Sequence, residues 1–234
     1  MTRPTITQWV AANGGGEMLG LGLGALVGIP GQLWLESHLP ALAAAVLAAT
    51  AFALVEGGIV GVAQGSIVHR LDPRVSVSRW VAATTAGGWV AWLAVSVPFA
   101  LGAGAAAGAG STEPPLVLQL AAMAFAGLAA GPVLALPQAL VLRAAVPAPW
   151  PWVWANAKAW AVGLPLIQLV AGGLPAGWPL PAYVVVAALV LFTSGALVGR
   201  IHGPTLWRLL GQADTASPAS IRSNPAAAAG PPAR

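Results

Sequence analysis

The chain of 234 residues is 58% hydrophobic and only 7% charged, with a formal charge of +4 and no cysteine. Its mean hydropathy of +0.80 excludes an ordinary soluble domain, in which about a quarter of the residues are charged. The missing cysteines exclude disulfides, thiolate nucleophiles and thiolate metal sites. So apolar a chain is accommodated by leaving its outer surface against acyl chains, which makes an all-α polytopic membrane protein the expected class.

Six apolar stretches are long enough to cross a hydrocarbon core that needs ~20 helical residues: 9–35, 39–69, 80–101, 116–143, 150–173 and 182–209. The first opens on WVAAN, with Trp9 and Asn13, carries Glu17 one turn further, and places Gly20, Gly24 and Gly28 four residues apart. In the second, Glu56 lies near or beyond the bilayer midplane, just before GGIVGVAQ, whose Gly57, Gly61 and Gln64 are followed by Gly65. A basic turn, RLDPRVSVSR at 70–79, leads into the third stretch, which opens on WVAAT with Trp80 and Thr84. The fourth repeats the small-residue pattern in GPVLALPQ, with Gly127, Gly131, Ala135 and Gln138. The fifth opens on WVWAN, with Trp152 and Asn156, and carries Lys158. The sixth holds GALVGRIH, with Gly195, Gly199, His202 and Gly203. Residues 1–210 thus read as one six-helix membrane domain. The Ala-, Pro-, Ser- and Gly-rich remainder, 211–234, reads as a disordered cytoplasmic tail, since it buries too little apolar area to order itself.

Basic residues in short loops are retained on the cytoplasmic side. Arg3, Arg70, Arg74, Arg79, Arg143, Lys158, Arg200, Arg208, Arg222 and Arg234 all fall on one side of the predicted spans, whereas the opposite loops hold Glu36 and Glu113 and no cation. Both termini are therefore expected in the cytoplasm of a bacterium, the chain being a multi-pass protein of its inner membrane. The positive charge is a topology signal and not a nucleic-acid footprint.

Each copy of the Trp-Val word begins a helix that enters from the cytoplasmic side, and the copies recur at nearly constant spacing. Each copy of the small-x-x-x-small-x-x-Gln word ends a helix that returns there, with His202 in the glutamine position of the last. The expectation is six transmembrane helices arranged as three hairpins about a pseudo-threefold axis, the third hairpin being split between helix 6 and helix 1. Parallel repeats about a membrane normal occur in transporters. The same words resemble a pattern in uncharacterised multi-spanning bacterial membrane proteins with tandem Gly-x-x-x-Gly-x-x-Gln, basic-turn and Trp-Val segments. The matching residues are Gly57, Gly61, Gln64, Arg70, Trp80 and Val81; Gly131, Gln138, Arg143, Trp152 and Val153; and Gly195, Gly199, Trp9 and Val10. The resemblance implies a fold and no activity.

Small residues every four positions read as helix-packing faces, because close backbone approach supplies the dispersion that holds a bundle together in lipid. Trp9, Trp80, Trp150 and Trp152, at helix ends, read as indole anchors in the headgroup layer. Asn13, Thr84, Asn156, Gln64, Gln138 and His202 fall at one depth and form a candidate polar ring. They read first as interhelical glue and second as a small-ligand or ion site. Glu17 and Lys158 form a candidate ion pair inside the membrane, and Glu56, standing alone, is the single residue most open to a functional role.

No hydrolase elbow, phosphate-binding loop or metalloprotease helix occurs, so no catalytic residue, metal or cofactor is assigned and no enzyme is expected. His69, His202 and Asp72 are too weak a set for a metal site. Two function classes remain. One is a non-catalytic assembly or accessory component of a membrane complex, its apolar faces contacting the lipid bilayer or other membrane-protein subunits. The other is a small transporter or channel using Glu56, Glu17, Lys158 and the polar ring.

Overall fold

A computed structural model describes residues 2–106, 114–173 and 177–215. These form the long helices α1 (Ile6–His38), α2 (Ala41–Leu71), α3 (Val77–Ala106), α4 (Leu116–Leu142), α5 (Trp150–Gly173) and α6 (Leu180–Thr215), and among the described residues there is no strand. The last helix runs beyond the boundary expected at residue 210, and the remainder of the predicted tail lies outside the described residues, as does Glu113.

Local chemistry sets the helix ends. Thr5 caps α1 reciprocally with Gln8: its hydroxyl accepts the Gln8 backbone N–H at 3.3 Å, and the Gln8 side-chain oxygen accepts the Thr5 N–H at 3.0 Å, which satisfies two donors no helix can satisfy internally. Prolines at 40 and 115, which lack an N–H to lose, stand immediately before α2 and α4. Between α2 and α3 the Asp72 carboxylate accepts the Arg74 backbone N–H at 2.9 Å and pairs with the Arg74 guanidinium.

Four spans are long and apolar enough to cross a membrane by length and composition: Ile6–His38, Ala41–Leu71, Leu116–Leu142 and Leu180–Gly211. The other two helices carry most of the indoles, with Trp80, Trp89 and Trp92 on α3 and Trp150, Trp152, Trp154 and Trp160 on α5. The exterior is strongly apolar: Leu26, Val117, Phe125 and Leu180 are each more than two-thirds exposed. Such a surface is stable against lipid and costly against water.

Each helix packs against its neighbours in chain order, and α6 packs against α1, closing a ring. Glycines permit the closest approaches. A Cβ on Gly57 would stand 2.6 Å from the Thr85 Cα, one on Gly131 would strike the Asn156 carbonyl, and one on Gly195 would stand 2.5 Å from the Asn13 carbonyl oxygen. These join α2 to α3, α4 to α5 and α6 to α1. Backbones brought this close gain dispersion contacts that larger side chains would forbid.

Candidate functional site

The ring has an interior, and its first layer corrects a sequence expectation. Trp9, Trp80 and Trp152 are 0% exposed and meet one another, with ring centroids 6.2 Å apart for Trp9 and Trp152 and 5.9 Å for Trp80 and Trp152. They are not headgroup anchors. Only Trp150 of the four stands at the surface, under the Arg143 guanidinium at 5.1 Å. The buried indoles pack with Val68, Val75, Leu142, Leu206 and Leu210 into a floor across one end of the ring. Burial of an indole needs an acceptor for its N–H, and each has one on the preceding helix of the ring. Trp80 donates to Gln64 Oε1 at 3.2 Å, Trp152 to Gln138 Oε1 at 3.0 Å, and Trp9 to His202 Nδ1 at 3.3 Å.

One turn deeper lies the polar layer, where all six predicted ring residues, Asn13, Thr84, Asn156, Gln64, Gln138 and His202, are buried. Asn13 and Asn156 each donate to the carbonyl of the tryptophan four residues earlier, at 2.8 and 2.9 Å, and the Thr84 hydroxyl does the same to Trp80 at 2.9 Å. Gln64 donates onward to Asn13 Oδ1 at 2.8 Å and Gln138 to Thr84 Oγ1 at 2.9 Å. A chain of hydrogen bonds therefore runs from helix to helix. At the third corner His202, accepting from Trp9 through Nδ1, holds the place that Gln64 and Gln138 hold at the other two.

Above this layer is a chamber of about 30 Å³ lined by Glu17, Glu56, Gln64, Thr84, Gln138, Asn156 and His202 among others. That volume holds one or two water molecules, or a dehydrated small cation, where the lining is polar. Glu17 is 2% exposed, and its Oε2 atom is buried with no hydrogen-bond partner among the described residues. Unsatisfied buried carboxylate oxygens are expensive and uncommon. Glu56 takes a hydrogen bond from Trp92 Nε1. Neither carboxyl group has an ion pair among the described residues.

Two expectations about charge are overturned. Glu17 does not pair with Lys158, which is exposed on the outer face of α5 beside Trp154. Helical phase explains this: Lys158 lies two residues, roughly 200°, from inward-facing Asn156, whereas Glu17 lies four residues from inward-facing Asn13 and shares its face. Nor does Glu56 stand alone, since it shares the chamber with Glu17. His69 hydrogen-bonds the Val75 carbonyl at 2.9 Å, and among the described residues no group of three His, Asp or Glu could hold a metal ion.

Sequence reasoning missed the indole donors and Trp92. The signal for Trp92 was available: Glu56 and Trp92 lie equally far on either side of the Asp72–Ser76 turn, which puts them at one depth in an antiparallel pair. The apolar walls, Val60, Leu134, Trp160 and Val198, each lie one turn beyond a member of the polar layer on the same face. No family model, curated protein or solved structure matches the chain.

Proposed function

We propose that this is a six-span inner-membrane protein of a bacterium, built as three hairpins about a pseudo-threefold axis with both termini cytoplasmic, and that its chamber binds a small cation. In this reading α3 and α5 cross the bilayer with the four more apolar helices, because a closed ring lets their polar faces turn inward. The floor lies at the cytoplasmic end, where Arg70, Arg74, Arg79 and Arg143 cluster in the connections. The resemblance of the repeated words to uncharacterised multi-spanning bacterial proteins belongs to the same proposal.

The observation that carries it is Glu17. A buried carboxyl group with an orphan oxygen, facing a polar chamber whose lining among the described residues holds Glu56 and the His202 imidazole but no lysine or arginine, calls for a positive charge from outside the chain: a proton or a dehydrated metal cation. Packing alone does not explain it, since a leucine would fill that space without the desolvation cost.

A second reading, a non-catalytic accessory component in which the cation is resident, is favoured by the indole floor, which closes one end of the chamber. Purified protein in detergent is expected to show cation-dependent thermal stabilisation that Glu17→Gln abolishes while leaving the fold intact. Proteoliposomes then separate the readings: ion or proton flux lost in Glu17→Gln marks transport, and stabilisation without flux marks a resident ion. Absence of stabilisation by protons and by any of lithium, sodium, potassium, magnesium or calcium would sink the cation site altogether.

A further inference from the structure

Outside the ring, at the floor end, lies a second feature that the chamber does not explain. Between α5 and α6 a groove of about 450 Å³ is lined by Trp150, Trp154, Lys158, Ile201, Thr205 and Arg208. It is within the range of small-ligand sites, and it differs from the other outward grooves in composition. The grooves between α2 and α3 and between α1 and α6 are lined by aliphatic side chains, alanine, a few neutral polar groups and one aromatic ring each, Trp89 and Tyr183, with no charged side chain, as lipid-facing surfaces are. This one carries two cations, two exposed indoles and no carboxylate.

The placement of Lys158 is the physical problem to be solved. It lies eight residues past Trp150 along α5, roughly 12 Å deeper at ~1.5 Å per residue, and it points outward, where acyl chains would meet an ammonium group. Such a charge is costly unless it reaches the interface or meets a counter-charge. No hydrogen bond or ion pair satisfies it among the described residues. The groove leads from Lys158 toward the interface past the Thr205 hydroxyl to Arg208, whose guanidinium donates to that hydroxyl at 3.3 Å. Arg143, above Trp150, adds a third cation at the rim.

We propose that this groove is a binding site for the headgroup of an anionic glycerophospholipid. The phosphodiester sits between Lys158 and Arg208 with Thr205 as a further donor, the indoles of Trp150 and Trp154 flank the glycerol region, and the acyl chains follow the apolar outer faces of α5 and α6. Two cations converging on one groove from facing helices match a single phosphate better than a diffuse anionic surface does, because a diffuse surface needs no pocket. The site is independent of the chamber, whose residues it does not share.

The full chain, purified in dodecyl maltoside, is titrated with dioleoyl phosphatidylglycerol and, separately, dioleoyl phosphatidylcholine, with retained lipid counted by native mass spectrometry. Phosphatidylglycerol is expected to bind in preference. Lys158→Gln with Arg208→Gln is expected to weaken it roughly thirtyfold, whereas Arg70→Gln with Arg79→Gln, which removes the same charge elsewhere at the same end, leaves it within about twofold. Both target side chains are exposed, so the fold tolerates the change. A second readout uses phosphatidylglycerol with brominated acyl chains, whose quenching of tryptophan emission is expected to diminish in Trp154→Phe. Equal retention of the two lipids, or equal weakening by the two double variants, overturns the site. So does complete displacement of the lipid by millimolar inorganic phosphate, which would make it a pocket for free anions.

Discussion

The floor and the chamber are lined by the same six helices one or two turns apart, yet they treat buried polar atoms in opposite ways. In the floor each of Trp9, Trp80 and Trp152 finds an acceptor on the neighbouring helix, and the acceptors in turn donate onward from Gln64 and Gln138. In the chamber Glu17 Oε2 has no partner among the described residues. A closed network rigidifies and specifies one arrangement of helices, whereas an unsatisfied buried atom carries a cost that calls for an explanation. The difference separates what holds the ring together from the chamber proposed to bind a cation.

The comparison breaks most readily at the floor. Trp80→Ala removes the largest fully buried kind of side chain in the molecule and leaves Gln64 short of a donor, so a loss of about 3–5 kcal/mol is expected in reversible unfolding from mixed micelles. Gln64→Leu keeps the volume but orphans the Trp80 indole N–H and the Asn13 side-chain oxygen Oδ1. Its expected cost is about 1–2 kcal/mol, the range of interhelical hydrogen bonds in bilayers. Were Gln64→Leu to stabilise the protein, the floor network would be dispensable and its contrast with the chamber would disappear.

In the chamber the expected effect on stability is smaller. Glu17→Gln and Glu56→Gln remove charge without changing shape, and without added cation each is expected to leave the protein at least as stable as wild type, because the uncompensated buried charge is gone. What they abolish is the stabilisation that added cation confers on the wild type. Glu56→Gln keeps an acceptor for Trp92 Nε1 and so tests charge alone, whereas Trp92→Phe keeps the charge and removes the donor. If Trp92→Phe abolishes the cation response while Glu56→Gln spares it, positioning and not charge governs the chamber.

Much of this interior is legible in the sequence, because periodicity fixes depth and face. The apolar stretches and the breaks between them give the limits of the six long helices to within about six residues. The four-residue step from Trp9 to Asn13 to Glu17 already puts all three on one face. The same step, taken from Asn156, argues against Lys158 facing inward, so the expected ion pair failed through attention to depth without phase. The indoles were misread because tryptophan at a helix end is at home in the headgroup layer, and only the position of Gln64, Gln138 and His202 on the adjoining helix draws it inward. That adjacency is tertiary information. An orphan oxygen is less legible still, since it depends on which side chains fail to reach Glu17.

Asp72 offers the smallest effect and the sharpest control, because it is a shielded carboxylate whose counter-charge is built into the chain. Hydrogen bonds from the Arg74 guanidinium hold its carboxyl below the usual carboxylate range, the largest influence on it; burial opposes the shift, and the Arg74 backbone N–H and charge reinforce it. With the folded pKa below the unfolded value of about 3.9, the stabilisation is fully present above that value and is lost as pH falls through the lowered folded one. Arg74 is half exposed, and solvent screening keeps the contribution to about 1 kcal/mol or less. Asp72→Asn is therefore expected to unfold slightly sooner than wild type, with a constant gap from neutral pH to about pH 5 that closes below about pH 4. Added metal cations should not alter that gap, since Arg74 already supplies the charge. For Glu17 the charge has no such source among the described residues, so its contribution should follow cation concentration instead. A gap at Asp72 that grew with added cation would mean that the turn, and not the chamber, is where the protein holds its ion.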